Sequence, residues 1–393
     1  MAAEDARPIR VGLIGYGGIG KVHALAYRSI PYHYGLPADA VRITAVATSS
    51  TASAERAARE IGCPAWSDDY RRIVERDDVD LVDCSVPNAL HEPVVTAAAA
   101  AGKHIYCEKP LARTVAEGAR MAEAVRRAGV KAQPTFNFRF FPAITRARQL
   151  VDDGFLGRIF SFRGRYYRSS YIDAAKPMSW RLDREASGGG AMHDLGSHVL
   201  DLTGYLVGRC ESVNATLETL IDRRPVSAGS DELAPVEVDD CCFLHLRTAG
   251  GVPGLVEVSR MGTGAVNDLQ VEVFGDRGAI RFRAEEPSWL EVYDATDPAE
   301  PLGGMRGFRR LETVQHHAGQ KIPDWSQAAG FTRTHVECQY RLLRAIWDDT
   351  APQPDFQDAL RVQEVMAAAE RSSKEGRWVS VSADAEASDA AEA

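Results

Sequence analysis

The sequence predicts an α/β protein, with an N-terminal doubly wound parallel sheet followed by an α/β domain on a large, open, mainly antiparallel sheet. Three observations carry that expectation. Short apolar runs alternate with helix-patterned stretches along the first part of the chain, closely spaced alternating runs take over after about residue 134, and glycines stand where the first strand meets the first helix. A chain of 393 residues is too long for one ordinary core, and 45% hydrophobic with 26% charged residues is the composition of a folded globular protein. The net charge of -9 argues against a general nucleic-acid binder, which needs an excess of Lys and Arg to track phosphates.

IRVGLI (9–14) has the continuous apolar character of a buried parallel strand, and a helix follows from about 18 to 29. VRITAVAT (41–48) and a helix over 52–60 continue the β-α-β pattern. The order repeats with a helix near 69–76, a strand VDLVDCSV (79–86), an Ala-rich helix 91–101, a strand HIYCEKP (104–110) and a helix 114–128. Such alternation implies parallel strands joined by right-handed crossovers, and it defines a first domain over 1–134. In the second domain, 135–381, the runs GRIFSFRGRYYR (157–168), SVNATLETLI (212–221), VDDCCFLHLR (238–247), GLVEVSRM (254–261), DLQVEVFG (268–275) and AIRFRA (279–284) read as strands. One helix, about 188–206, interrupts them; helices over 329–348 and 356–373 precede a strand-like RWVSV. SADAEASDAAEA (382–393) lacks large apolar side chains and reads as a disordered tail. No internal repeat is visible.

Seven cysteines, an odd number without a C-x-x-C pair, suggest reduced thiols rather than a disulfide framework or zinc knuckle. MAAEDARPIR does not resemble a signal peptide, and no stretch supplies the roughly 18 apolar residues of a membrane helix, so a cytoplasmic protein with no membrane partner is expected.

Gly15-Tyr16-Gly17-Gly18-Ile19-Gly20 matches G-x-G-x-x-G where that pattern has mechanical meaning, after a strand and opening a helix. Gly15 permits the turn, Gly17 lets backbone approach a pyrophosphate, Gly20 lets helix and strand pack closely, and the helix N-terminus offers N–H groups to phosphate. The pattern predicts a dinucleotide-binding Rossmann domain. The carboxylate that would hold the NAD ribose at the end of the second strand is missing; Thr48, Ser49 and Ser50 stand there instead. NAD or NADP is therefore expected, with a slight lean to NADP, while Arg56 reads better as a solvated helix residue than as a phosphate contact.

Glu108-Lys109-Pro110 closes a strand at the carboxyl edge of the sheet, where open α/β folds bind ligands. In SGGGAMHDLGSHVLDL, Asp194 and His198 lie four apart and would share one helix face, a carboxylate beside an imidazole and hence a ready acid/base unit. His316, His317 and His335 stand alone and read as surface residues. A metal at His193 and His198 matches no familiar ligand spacing, and no metal is expected.

These segments resemble the Gfo/Idh/MocA oxidoreductase family, named for glucose-fructose oxidoreductase, inositol dehydrogenase and a rhizopine catabolism protein. The resemblance spans nearly the whole chain and rests on VGLIGYGGIGKVHALAY, SVPNALHEPVVTAAAAAGKHIYCEKPLA, FNFRFFPA, SGGGAMHDLGSHVLDL with the following YLVG, and DALRVQEVMAAAERSSKEGRWVSV. It implies a Rossmann domain, terminal helices packing back on it, and a second-domain sheet that makes a homodimer or homotetramer interface. It also implies that Lys109, Asp194 and His198 occupy the catalytic positions. The cofactor would be bound by the glycine loop, the end of the second strand, Pro87, Asn88, His91, Glu108 and Lys109, with Trp180-Arg181 similar to a W-R pair bordering the cleft. The insertion IPYHYGLPADAVR and the stretch KPMSWRLDREASGGGAMHDLGSHVLDL are similar to a subgroup acting on pyranose-like substrates, levoglucosan dehydrogenases among them. His193 directly before Asp194 departs from a common pattern and leaves open which histidine faces substrate.

The expected activity is hydride transfer between nicotinamide and a secondary alcohol or ketone of a sugar, inositol or pyranose-like polyol. His198 would take the hydroxyl proton, Asp194 would orient its ring, and Lys109 would donate to the reacting oxygen. Asn137 and Arg139 are candidates to reach substrate hydroxyls, and Tyr167, with Tyr166 and Tyr171, to stack on a sugar ring. Two alternatives stay open. One is a glycoside-cleaving enzyme on the same fold that retains its nicotinamide; the other is a noncatalytic NAD(P)-binding sensor.

Overall fold

The computed structural model describes residues 7–313, 317, 319–321 and 330–381, so the expected tail at 382–393 lies outside the described residues. The chain divides into two compact units, one of Met1–Ala112, Ala116–Phe140 and Val314–Leu360, the other of Arg113–Val115, Phe141–Thr313 and Arg361–Ala393.

In the first unit six parallel strands form one sheet: β1 (Ile9–Ile14), β2 (Val41–Ala47), β3 (Ala65–Ser67), β4 (Leu81–Cys84), β5 (His104–Cys107) and β6 (Ala132–Pro134). Their order is β3-β2-β1-β4-β5-β6, with Val11 of β1 opposite Ile43 on one side and Leu81 on the other. The order changes direction between β1 and β4, the switch point beyond whose carboxyl ends such sheets bind ligands. Helices α1 (Gly18–Tyr34), α2 (Thr51–Ile61), α3 (Tyr70–Val74), α4 (His91–Ala100) and α5 (Val115–Ala128) connect the strands. The first of them runs five residues past the expected end. It continues through Pro31 and closes where Gly35, at φ 62°, donates its N–H to the Pro31 carbonyl.

The second unit is built on nine strands: β7 (Ile159–Tyr167), β8 (Cys210–Glu218), β11 (Cys241–Thr248), β12 (Pro253–Ser259), β13 (Asp268–Gly275), β14 (Gly278–Arg283), β15 (Trp289–Asp294), β16 (Arg309–Glu312) and β17 (Val379–Ser380), with a separate ribbon of β9 (Arg223–Pro225) and β10 (Leu233–Pro235). The order is β16-β15-β14-β13-β7-β12-β11-β8-β17, and every neighbouring pair is antiparallel except β7 with β12. Burial alternates along β7, with Phe162, Gly164 and Tyr166 facing inward, the period of two that a one-sided sheet requires. Helices α6 (Pro142–Asp152), α7 (Arg184–Ser187) and α8 (Ser197–Leu206) belong to this unit. Gly164 marks the close approach of α8, since a Cβ there would lie 2.4 Å from Val199.

The continuous helix expected over 188–206 is not formed. α7 stops at Ser187, Gly188 turns left-handed at φ 83°, and Gly190 is pressed so close to Asp239 that a Cβ would lie 1.9 Å from that residue's carbonyl oxygen. Met192–Gly196 then forms a π turn, in which Ser197 N–H reaches the Met192 carbonyl, before α8 begins.

Two terminal helices follow, α9 (Phe331–Trp347) and α10 (Phe356–Glu375). Val336, Leu342 and Leu343 of α9 enter one apolar core with Val11 and Leu81 of the sheet and Tyr27 and Ile30 of α1. The three-residue strands β3, β6, β9 and β10 went unforeseen, because so short a segment carries no readable period. All seven cysteines are free, and no described helix is long and apolar enough to cross a membrane.

Candidate functional site

The glycine loop separates into two kinds of position. Gly15, at φ 97°, donates its N–H to the Ala47 carbonyl, and a Cβ on it would lie 2.4 Å from the Ser85 carbonyl oxygen; one on Gly20 would lie 2.5 Å from the Gly15 carbonyl oxygen. Those two glycines are demanded by the fold. Gly17 and Gly18 are exposed with nothing within 4 Å of an added Cβ, and Gly17 opens α1 with no side-chain cap. Open glycine backbone at an uncapped helix start fits a pyrophosphate, whose oxygens would take the free N–H groups. Tyr16 and Ile19 are half-buried, and Lys21 binds Glu60 at 2.8 Å while lying over the Tyr16 ring.

At the end of β2 the hydroxyls are already engaged. Ser50 caps α2 by accepting from Ser53 N–H, and Thr48 Oγ1 lies 2.5 Å from Ser53 Oγ, which leaves Ser49 exposed beside them. A carboxylate does stand on the neighbouring strand's side of β2. Asp68 follows β3, whose Ser67 pairs with Ala47, and it accepts a hydrogen bond from Thr51 on the first turn of α2. Sequence reading overlooked it because β3 was not foreseen.

Beneath Lys109 lies a buried ionic chain. His23 Nδ1 is 2.9 Å from Asp83, its Nε2 is 3.0 Å from Glu108, and Glu108 also accepts from the Lys109 backbone N–H at 3.2 Å. Burial alone would push the His23 imidazolium down, but Asp83 and Glu108 outweigh it and hold its pKa up at about 10. Glu108 is pulled down to about 2, because the His23 hydrogen bond and charge and the Lys109 charge overcome the effect of burial. His23 carried no functional expectation from sequence. Its signal was its place one helical turn after the glycine loop, facing a strand that carries Asp83.

His91 corrects the expectation of a direct cofactor contact. It is 0% exposed, with Nδ1 3.1 Å from the carbonyls of Pro110 and Leu111 and Nε2 3.0 Å from that of Val86, so it ties the Pro87-Asn88 turn to the Lys109-Pro110 turn. Asn137 and Arg139, expected at substrate hydroxyls, are likewise buried and engaged, Asn137 with Thr334 at 2.8 Å and Arg139 with Asp358 at 3.1 Å. They anchor the terminal helices. His317 and His335 are buried rather than on the surface, and His316 lies outside the described residues. His335 packs 5.4 Å from the His23 ring, and burial followed by the His23 charge pushes its pKa down to about 3. Among the described residues, ligand-type atoms do approach one another within 4.8 Å, at His23, Glu108 and His335 and again at Cys84, His91 and Cys107; neither group includes the His193 or His198 weighed from sequence.

In the second unit the π turn carries Asp194 and leads into the helix that carries His198. Asp194 is half-buried within the turn and His198 is buried on the first turn of α8. A π turn widens the helix by one residue, so the pair sits on a locally unwound segment of the kind that recurs at functional sites. The ring of Tyr166 stands edge-on to His198 at 6.2 Å, and its hydroxyl donates to Asn267 at 2.6 Å. Tyr167 therefore does not fit the expected stacking role beside this pair. It follows Tyr166 on β7, so it points to the opposite face of the sheet, where it donates to Glu257 at 2.6 Å. His193 is buried and held down to about 4 by burial and by the Arg184 and Arg260 charges, which overcome Asp239; its ring packs against Gly189. Trp180 and Arg181 stack on each other at 4.4 Å. Lys109 belongs to the first unit, Asp194 and His198 to the second.

Comparison with known proteins agrees with this geometry. Residues 9–136 match the model of the oxidoreductase family with an NAD-binding Rossmann fold, and residues 144–281 match the GFO/IDH/MocA C-terminal domain. The chain is 37% identical to levoglucosan dehydrogenase of Pseudarthrobacter phenanthrenivorans over 95% of its own length and 98% of that protein. It is 31% identical to inositol 2-dehydrogenase of Rhizobium meliloti over 72% of its length and 78% of the relative. A solved structure of levoglucosan dehydrogenase in complex with NADH and levoglucosan superposes with a TM-score of 0.90 at 36% identity, covering 95% of this chain and 100% of that one. With its glycine loop, its Glu108-Lys109-Pro110 turn and its Asp194 and His198 pair, the chain belongs to the Gfo/Idh/MocA family of NAD-binding oxidoreductases.

Proposed function

We propose that this oxidoreductase acts on a ring-borne secondary alcohol or its ketone, in a sugar, inositol or related polyol. The observation that carries the reading is the half-buried Asp194 within a π turn leading to the buried His198, in a chain whose glycine loop fits a dinucleotide. The nicotinamide nucleotide, when bound, supplies the hydride carrier. His198 takes the hydroxyl proton, Asp194 orients the ring and stabilises the imidazolium, and Lys109 donates to the reacting oxygen, favouring its alkoxide character. Trp180 and Arg181 border the cofactor.

NAD is the preferred carrier in this proposal. Support comes from Asp68, a carboxylate beside the end of β2 that disfavours a 2′-phosphate, and from the related levoglucosan dehydrogenase structure containing NADH. The slight lean to NADP drawn from β2 alone gives way. Homodimer or homotetramer assembly through the nine-stranded sheet, in the cytoplasm, completes the proposal; the outward face of β11 in that sheet carries Phe243, exposed at 45%.

The test is initial-rate formation of NADH at 340 nm across sugars, inositols, anhydrosugars and glycosides. Lys109→Ala and His198→Ala are each expected to lower kcat by about 10²–10⁴, the usual worth of a positioned acid or base, with NADH affinity retained. Near-normal turnover in both variants overturns the assignment, and glycoside cleavage without net NADH points to the retained-nicotinamide chemistry instead.

A further inference from the structure

Five cations gather in the second unit, none with a carboxylate partner among the described residues. Arg168 follows β7 and Arg260 follows β12; these strands run parallel, with Tyr167 opposite Ser259, so both arginines follow the C-terminal ends of adjacent strands. Arg224 reaches the same place from β9, and Lys176 and Arg181 come from the segment after β7. Three of them surround the Tyr171 ring, Lys176 Nζ at 4.0 Å, Arg260 at 4.8 Å and Arg224 at 5.7 Å, while Arg181 lies over Trp180 and, with Arg168, acts on Lys176 by charge. Among the described residues none of the five has a carboxylate oxygen within 4.0 Å. The acids of this segment are engaged elsewhere. Asp173 accepts from Ala175 N–H, Asp183 accepts from Glu185 and Ala186 N–H, and Asp239, which acts on Arg260 at longer range, accepts from Gly190 and Met192 N–H.

Two of the five are built into the protein. Arg224 and Arg260 are 0% and 1% exposed, and the Nε of each is buried with no hydrogen-bond partner. Arg224 donates to the carbonyls of Tyr171 and Asp173 at 2.7 Å, and Arg260 approaches the Arg181 carbonyl at 3.5 Å, so these two pin the 171–181 segment. Carbonyl oxygens satisfy N–H groups but do not neutralise charge, and uncompensated buried cations are costly. Lys176 shows the consequence. Its pKa is lowered by burial first and then by Arg224, Arg260, Arg181 and Arg168 together. Arg168 and Arg181 are exposed and Lys176 half-buried, leaving three cations able to meet a ligand. The cluster adjoins the acid/base pair through Tyr166, whose phenol feels both Arg168 and Asp194 and whose ring lies against His198.

We propose that this cluster receives an anionic group of the substrate, so that the sugar or polyol worked on at Asp194 and His198 carries a carboxylate or a phosphate. The inference rests on the polyol-oxidoreductase reading and narrows its substrate class. Arg168, Lys176 and Arg181 supply charge-assisted hydrogen bonds to the anion, while Arg224 and Arg260 hold the segment and add positive potential.

Initial rates with NAD are compared for glucose, glucuronate and glucose 6-phosphate, in the wild type and in Arg168→Gln and Lys176→Gln. Charge-assisted bonds of this kind predict a kcat/KM at least about tenfold higher for one anionic sugar than for glucose, falling toward parity in both variants and at raised ionic strength. Whichever anionic sugar leads identifies carboxylate or phosphate. Equal use of all three, unchanged in the variants, overturns the proposal and leaves the arginines as segment pins. Titration with glucuronate and with inorganic phosphate, followed by the fluorescence of Trp180 beside Arg181, separates the two levels of inference. A saturable change that is lost in the variants, without turnover of any sugar, keeps the anion site and removes the oxidoreductase reading. No change with either probe up to roughly 10 mM, where even weak specific binding registers, overturns the site.

Discussion

Wholly buried between two carboxylates, His23 is an imidazolium whose loss would leave Asp83 and Glu108 facing each other without a cation. Breaking a buried ion pair by removing one partner typically costs about 3–5 kcal/mol, so His23→Ala is expected to destabilise the chain by an amount in that range, read from denaturant melts. The pH dependence follows from the same geometry. Because folding raises the His23 pKa from 6.5 to about 10, its contribution is complete below 6.5 and is lost as pH rises through about 10. Glu108 runs the other way. Folding lowers it from 4.5 to about 2, so its contribution is complete above 4.5 and is lost as pH falls through about 2. The wild type should therefore lose stability between pH 7 and 10 more steeply than His23→Ala; equal slopes would show that His23 is not charged in the folded chain. At this scale residue types were legible and orientations were not. Sequence offered Tyr166 and Tyr167 alike, and only the face assignment of β7 decides that the former stands by His198. Asn137 and Arg139 were legible as polar residues after β6 but not as anchors of α9 and α10, since their partners lie about two hundred residues away.

Among elements, the glycine loop separates fold from ligand. Gly15→Ala puts a Cβ into the Ser85 backbone at a left-handed φ, so a loss of stability exceeding the roughly 1 kcal/mol of an ordinary glycine replacement is expected. Gly17→Ala meets open space at φ -76°, so its melting temperature should stay near that of the wild type while its affinity for NADH drops, measured by fluorescence titration. Unchanged affinity in Gly17→Ala would place the pyrophosphate elsewhere. The parallel sheet was readable because each of its longer strands is a compact apolar run followed by a helical period. The π turn was not. Its residues have the same apolar spacing as an α-helix, and what unwinds them is the demand at Gly188 and Gly190 for close passage beside Arg113 and Asp239, a tertiary contact without a local sequence period.

For the whole molecule, the first unit is assembled from three chain runs, and residues 314–360 return to it because the apolar stripe of α9 completes the core of β1, β4 and α1. Sequence contains the stripe but not its destination, which only the register of the sheet selects. Cofactor choice can be read at the same scale without knowing the substrate. A ligand that binds only the folded chain stabilises it by RT ln(1 + [L]/Kd), about 2.7 kcal/mol at one hundred times Kd, and for large domains each kcal/mol moves the melting temperature by roughly 2–4 °C. NAD at millimolar concentration should therefore raise the melting temperature by several degrees and, on the proposed preference for NAD, NADP at the same concentration by less, the Asp68 carboxylate beside β2 opposing an added 2′-phosphate. Asp68→Asn should narrow the gap mainly by improving NADP. A larger shift with NADP in the wild type would reverse the argument from Asp68 and restore the preference read from β2 alone, while no shift with either nucleotide would show that the open glycines of α1 do not serve a dinucleotide.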